Sequence, residues 1–316
     1  MLTLLANAKI NLYLEIIGHR PDGFHELVMV MQSVALADRL TLRPLNAPSI
    51  VINCDHPQVP TDSQNLAYQA VTLLQKRLPH RTNRYGGVEI TIEKAIPVGA
   101  GLAGGSSNAA ATLFGLNVLW QLGLTRLELQ ELGAELGSDV PFCFAGGCAI
   151  ATGRGEEIHS LPKSPKLCAV LAKYDSLSVS TPWAYKAYRQ QFEHTYLRLK
   201  DPANLEERQA RVHSGKMVRA IGEQNATAIG THLHNDLEKV IAPAHPQVAQ
   251  LKEIMVAAAG QQGLGTMMSG SGPTVFTLCD TPVQAQAILK AVRRQVTNSD
   301  LQLYIAPFTS QGIRIA

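Results

Sequence analysis

The sequence predicts an α+β protein, and three observations carry that reading. Residues 9–17, KINLYLEII, alternate apolar and polar with the period of a strand. Residues 97–112, PVGAGLAGGSSNAAAT, form a glycine-rich loop that turns into a helix. Strand-like and helical stretches then follow one another without regular β–α–β alternation, which argues against a doubly wound parallel sheet.

In the first strand Ile10, Leu12, Leu14 and Ile16 share one face, and Lys9, Asn11, Tyr13 and Glu15 the other. One face is therefore expected to be buried and the other polar. Arg20-Pro21-Asp22-Gly23 marks a turn. Strands are expected at about 26–36, 38–43 and 49–54. Leu66, Ala70, Leu73 and Leu74 recur at helical spacing within 64–78, and Val88, Ile90 and Ile92 alternate in a strand that leads into the glycine-rich loop. Residues 106–121, dense in alanine and leucine, read as a helix. Thr125 with Glu128 forms a capping box for the next helix, which ends near Gly133 to Gly137. The composition shifts around 153–165, GRGEEIHSLPKSPK, and marks a boundary. Beyond it, strands are expected at 167–173, 274–280 and 302–307 and helices at 247–259 and 282–295. Residues 195–235 are polar and read as a surface insertion.

A chain of 316 residues is long enough for two domains, and 46% hydrophobic against 17% charged residues supports a real core and excludes a disordered chain. A net charge of +3 is too weak a bias for nucleic acid and suits an anionic small molecule. The five cysteines are odd in number and form no CxxC pair, so free thiols in a reducing cytosol are expected rather than disulfides or a metal site. The opening MLTLLANAKINLYLEI has no basic segment and is interrupted by Lys9, unlike a signal or transit peptide. No stretch reaches the roughly 18–20 apolar residues of a membrane span. The expected location is the cytoplasm, or the plastid stroma for a mature organellar form.

The glycine loop is the strongest chemical signal. Gly99, Gly101, Gly104 and Gly105 let backbone N–H groups crowd an anion at the positive end of the following helix, a phosphate cradle suited to a nucleotide. Ser106 and Ser107 add hydroxyls for phosphate or a metal ion. The competing reading is a loop used only for close packing. Gly99 to Gly104 also matches the GxGxxG of dinucleotide-binding folds. That fold wants an acidic residue at the end of a second strand about 20 residues on, where this chain reads as helix and loop. There is no Walker A motif, since Gly215-Lys216 is followed by Met217, and no protein-kinase HRD and DFG set. A second glycine-rich element, Met268 to Pro273, precedes the strand TVFTLCD; it is either a plain turn or a second approach to the same phosphates. Taken singly, Lys9 reads as a solvated strand lysine, Asp139 in LGSDVP as a turn or cap residue, and Phe24-His25 as a turn anchor or a base-stacking pair.

Together these segments resemble the GHMP small-molecule kinases. An N-terminal strand with Lys9, the loop PVGAGLAGGSSNAA and SGSGPTVF occur in that order, and the resemblance covers essentially the whole chain. AKINLYLEIIGHRPDGFHEL and LGSDVPF are similar to the members acting on a cytidine diphosphate-linked methylerythritol, rather than on mevalonate or homoserine. The resemblance implies a two-domain GHMP kinase fold with the active site in the cleft. Its N-terminal domain would be ribosomal protein S5-like (1–158) and its C-terminal domain ferredoxin-like (159–316).

The implied reaction is ATP-dependent phosphorylation of the substrate's 2-hydroxyl in the non-mevalonate route to isoprenoid precursors. Asp139 is the implied base, and Lys9 pairs with it and helps to neutralise the moving phosphoryl group. ATP would be held by Asn65, Lys94, Pro97, Gly99, Gly101, Leu102, Gly104, Gly105, Ser106 and Ser107. The substrate would meet Asn11, Phe24, His25, Tyr185, Ser271 and Gly272, with Trp183 or Tyr188 as alternatives to Tyr185 for stacking on cytosine. ATP implies Mg2+, for which no carboxylate cluster is evident and no protein ligand is assigned. Neither nucleic acid nor a membrane is an expected partner, and the chain is a monomer or homodimer. Mevalonate or homoserine phosphorylation, an NAD(P)-dependent dehydrogenase and a non-catalytic nucleotide-binding module stand as alternatives; the last is opposed by the presence of both Lys9 and Asp139.

Overall fold

The computed structural model describes residues 1–162, 166–197 and 215–316. Two long strands, β1 (Leu2–His19) and β2 (His25–Leu45), form an antiparallel hairpin. Its turn closes with the Arg20 N–H donating to the Phe24 carbonyl at 2.8 Å. The strands expected at 26–36 and 38–43 are one element: the register shifts between Asn7 and Ala8, so a bulge absorbs the irregularity that the sequence reading took for a break.

The chain continues through β3 (Ile50–Cys54), α1 (Leu66–Arg77), α2 (Pro79–Thr82), β4 (Gly87–Glu93), α3 (Gly104–Leu119), α4 (Arg126–Leu136), α5 (Val140–Ala145), β5 (Cys148–Thr152) and β6 (Glu157–Ser160). The second half holds β7 (Cys168–Tyr174), α6 (Thr181–Phe192), α7 (Lys216–Gly222), α8 (Ala226–Thr231), β8 (His234–Asn235), α9 (Glu238–Ala244) and α10 (Pro246–Ala259). It ends with β9 (Gly265–Met268), β10 (Val275–Cys279), α11 (Pro282–Gln295), β11 (Leu301–Pro307) and β12 (Ile313–Ile315).

Local chemistry accounts for the helix starts. Asn65 caps α1 by accepting from the Ala67 N–H at 2.8 Å. Thr125 and Glu128 form the expected capping box on α4, and Thr281 with Gln284 forms another on α11.

One sheet runs β12-β1-β2-β4-β3, with β5 on β2, β6 on β5 and β8 on β1; the other runs β11-β7-β10-β9 and is antiparallel throughout. After the glycine loop, α3 leads into α4 and α5 rather than into a parallel strand, so the dinucleotide-binding reading of Gly99–Gly104 is set aside. Two strands of the second half, β8 and β12, return to pair with β1.

The core explains why the halves meet closely. Leu4 and Ala6 of β1 pack with α1, α3 and α4, whereas Ile10 and Leu12 share a cluster with Ala169 and Leu171 of β7. Leu14 and Ile16 join a third cluster with Cys168, Val170 and the inner faces of α10 and α11. Strand β7 thus shows one face to the first half and the other to its own helices, as the apolar run Cys168–Ala172 requires. The first strand does not offer a solvated polar face at its centre: Lys9 is 5% exposed and Asn11 0%, because the second half covers them. Nor is the described part of 195–235 a surface insertion. Met217, Ala220, Ile221 and Ile229 of α7 and α8 are buried in the core, and the polar residues around them masked that apolar face in the sequence. Residues 198–214 lie outside the described residues. Among the described residues no helix is long and apolar enough to cross a membrane.

Candidate active site

A cavity of about 810 Å³ opens where the two sheets meet, with walls from β1, the β1–β2 turn, the glycine loop, α6 and the loop before β10. At its centre stands Lys9. Its ammonium donates to Asn11 Oδ1 at 2.7 Å and lies 3.3 Å from the Asp139 carboxylate. The second half covers the lysine, which is 5% exposed, so the solvated reading fails. Asp139 occupies the cap position of α5, yet its side chain makes no capping hydrogen bond there. Its carboxylate is turned to Lys9 and remains 29% exposed. The backbone beneath is fixed: the Asp139 carbonyl accepts from the Cys143 thiol at 3.2 Å. Burial first, and Asp139 second, push that thiol up to about 12, which leaves it an inert packing group.

The two glycine-rich elements are packed on each other. Gly101 has φ +72°, and a Cβ there would lie 2.3 Å from the Ser269 carbonyl oxygen. Ser269 is fully buried; its hydroxyl donates to the Gly101 carbonyl at 3.2 Å and accepts from the Asn11 N–H at 3.4 Å. Gly270 has φ +55°, and a Cβ there would come within 3.2 Å of Asn11 Oδ1 and 3.5 Å of Lys9 Nζ. Asn235 holds this second loop by donating to the carbonyls of Met268 and Gly270 at 2.9 and 2.8 Å. The Ser271 hydroxyl pairs with that of Thr181 at 2.7 Å, tying the loop to α6. The pair of loops is thus a single backbone wall beside Lys9.

The other expected nucleotide residues divide. Asn65, Lys94, Pro97, Gly99, Gly104, Gly105 and Ser106 line the cavity. Leu102 and Ser107 do not: Leu102 is 1% exposed in the core, and the Ser107 hydroxyl donates to the Asn7 carbonyl at 2.8 Å. Adjacent serines on a helix point about 100° apart, so only Ser106 faces the opening. Lys94 is paired with Asp38, a residue that sequence reasoning missed. It also missed Asn108, which is 4% exposed, lines the cavity and carries a side-chain oxygen without a hydrogen-bond partner.

At the opposite end Phe24, His25 and Tyr185 line the wall, and Gly272 lies off it with its Cα hydrogens against Met268. His25 and Tyr185 rings are 5.0 Å apart at 31°. Burial, aided by the charges of His19 and Arg189, lowers the His25 imidazole to about 4, so it is neutral near pH 7; its Nε2 is buried without a partner. Phe24 is 49% exposed, and the Arg154 guanidinium sits 4.7 Å from its ring centre. Asp22 accepts from the Phe24 N–H and from Arg20 Nε, both at 3.1 Å, which steadies the turn. Of the alternative aromatic rings, Tyr188 is buried against Phe192 and Trp183 packs edge-on to His245; neither lines the cavity. Arg154, Lys186 and Arg189 bring positive charge to this end. Among the described residues no cluster of three or more His, Cys, Asp or Glu side chains has the arrangement of a metal cage.

This geometry can hold an anion on backbone N–H groups and place a hydroxyl against the Asp139–Lys9 pair. Comparison with known proteins gives the same direction. The family model described as GHMP kinases N terminal domain matches residues 65–147, and GHMP kinases C terminal matches residues 217–298. A protein of Gloeothece citriformis named 4-diphosphocytidyl-2-C-methyl-D-erythritol kinase is 55% identical over 313 residues, covering 99% of this chain and 98% of its own. A crystal structure of 4-(cytidine 5'-diphospho)-2C-methyl-D-erythritol kinase aligns with a TM-score of 0.73 at 30% identity, covering 97% of this chain and 98% of that one. Homoserine kinase from Cytophaga hutchinsonii aligns with a TM-score of 0.75 at 19% identity, over 100% of this chain and 97% of that one, a likeness of fold alone.

Proposed function

The chain belongs to the GHMP kinase family, and on that premise we propose that it transfers the γ-phosphoryl group of ATP to the 2-hydroxyl of 4-diphosphocytidyl-2-C-methyl-D-erythritol. The observation that carries this reading is the single cavity joining the glycine loop, the Lys9–Asp139 pair and the Phe24–His25–Tyr185 end. In this reading the N–H groups around Gly99–Ser106 take the ATP phosphates, and the unpaired Asn108 oxygen accepts a donor of the nucleotide. Asp139 takes the proton of the 2-hydroxyl, and Lys9 offsets charge on the group in flight. Asn11 orients the lysine and the acceptor. Phe24 and Tyr185 stack on the cytosine. The unpartnered His25 nitrogen meets its polar edge, and the basic residues at that end face the diphosphate.

Mg2+ is part of the proposal as an ion that would arrive with ATP and supply positive charge to the transferring phosphoryl group. Among the described residues, Ser106 and Asp139 at the cavity wall would hold it rather than an all-protein cage, which suits an ion that keeps several waters. The free thiols fit a reducing cytoplasm. The proposed division at residue 158 falls within β6, the last strand of the first sheet before β7 opens the second, and β8 and β12 return to the first sheet.

The test is ADP release from Mg–ATP with the diphosphocytidyl compound, beside mevalonate and homoserine. Turnover with the cytidine compound alone is the expected result; turnover with either control in its place overturns the acceptor.

A further inference from the structure

Asp38 lies in the middle of β2, outside the glycine loops and outside the cavity wall, and is fully buried. One carboxylate oxygen accepts from the Ala95 and Ile96 N–H groups, each at 2.9 Å. The other pairs with Lys94 Nζ, whose side chain is 4% exposed. The Lys94 N–H in turn donates to Asp55 Oδ1 at 2.9 Å. A Cβ built on Gly104 would lie 3.1 Å from Lys94 Nζ, so the ammonium rests against the first residue of α3. Lys94 itself lines the cavity.

A buried pair of this kind contributes little net stability, but removing one partner leaves an uncompensated charge among almost fully buried groups. Here that region adjoins the loop that would receive a polyphosphate. An unpaired Asp38 would oppose the phosphates. An unpaired Lys94, on its flexible four-carbon stem, would attract them from no fixed place. Asp38 supplies both corrections at once: it cancels the charge, and its three bonds fix the exit of β4 from which Lys94 springs.

We infer that Asp38 is a positioning residue for nucleotide binding, acting through Lys94, so that the charge-balanced pair rather than the lysine alone sets nucleotide affinity beside Gly104. The inference rests on the kinase reading above and adds a residue to it. Its consequence is a reciprocal dependence. Removing Lys94 alone exposes the phosphates to a buried carboxylate; removing both charges leaves the wall neutral again.

The experiment titrates ADP by calorimetry, and measures KM for ATP and for the acceptor, in the wild type, Lys94→Met, Asp38→Asn and the double variant. Lys94→Met is expected to weaken ADP about tenfold, the order for one nearby uncompensated charge, and to raise KM for ATP while KM for the acceptor stays put. Adding Asp38→Asn is expected to recover most of that loss. A double variant that binds ADP no better than Lys94→Met overturns the inference, as does an unchanged ADP affinity in Lys94→Met. If Lys94→Met does not fold, the double variant decides: affinity within about threefold of wild type supports the pair, and a loss of about tenfold or more overturns it. A wild type that binds no ADP removes the kinase reading and this inference together. ADP binding with independent effects of the two substitutions removes the inference alone.

Discussion

The proposed nucleotide end of the cavity is walled by backbone, and the proposed acceptor end by side chains. At the first, Gly101 and Gly270 bring two loops into van der Waals contact, and Ser269 and Asn235 pin carbonyls on both. At the second, a half-exposed phenylalanine on a turn, a neutral imidazole and a partly buried tyrosine form an aromatic wall beside Arg154, Lys186 and Arg189. A phosphate is recognised by many N–H groups and tolerates little movement of the chain around it. A base is recognised by flat faces and one polar edge, and turn residues suffice for that. Substitutions at the first end should therefore act through geometry, and those at the second through lost contact area.

The largest effect is expected between the two ends. Asp139→Asn keeps the shape of the side chain and removes the proposed base. Turnover, followed as ADP release, should fall about a thousandfold with KM for ATP within about threefold. A rate near wild type would take the proton-accepting role away from Asp139.

Next comes the backbone wall. Gly101→Ala must meet the Ser269 carbonyl at 2.3 Å with φ +72°, so the loops must part. ADP affinity should drop more than about tenfold and Tm should fall, since backbone cannot yield as a side-chain tip does. Gly23→Ala is the matched control at the acceptor end. It has φ +87° but no atom within 4 Å of the added Cβ, so it should cost only the local strain, about 1 kcal/mol, and leave ADP affinity alone. Equal losses of ADP affinity in the two variants would break the contrast between the ends.

Phe24→Ala should raise KM for the acceptor about tenfold and leave KM for ATP unchanged. Arg154→Met, which removes the cation behind the ring and keeps a long side chain, should give about a threefold rise in the same constant. Steady-state kinetics on both substrates separates these outcomes from a general loss of folding, which would lower the apparent kcat and leave both KM values unchanged.

The two ends also differed in what the sequence disclosed. Strand period, the Thr125–Glu128 capping box, helical spacing and the run of small residues are local signals, so β1, α4, α11 and the glycine loop are legible. Placing Asp139 and Lys9 as a pair required resemblance, because each alone looks ordinary. What joins distant segments was not legible: Asp38 meets Lys94 across 56 positions, and Asn235 meets Gly270 across 35, with no motif around either. The extra residues of β2 opposite Asn7–Ala8 look like a gap between strands in the sequence, because a register shift leaves no signature in hydropathy. Ser107 was assigned to the phosphates because composition cannot tell which of two neighbouring serines faces inward; the structure gives its hydroxyl to Asn7.

The smallest effect concerns His25, and it tests whether the acceptor end is as apolar as its lining. The imidazole is lowered to about 4 by burial, with His19 and Arg189 adding to it, so the folded protein binds its proton less readily than the unfolded chain does near 6.5. Protonation therefore favours unfolding. Stability should be unaffected by this group above about pH 6.5 and should decline as pH falls from there toward 4. Binding follows the same logic, since a neutral ring keeps one accepting or donating nitrogen for the base edge throughout the neutral range. KM for the acceptor should stay flat from pH 7.5 down to about 5.5 apart from groups shared with His25→Asn, the variant that removes the titration. An inflection near 6.5 in the wild type that disappears in His25→Asn would show a solvated, charging imidazole, and with it an acceptor end wetter than Tyr185 and the unpartnered Nε2 indicate.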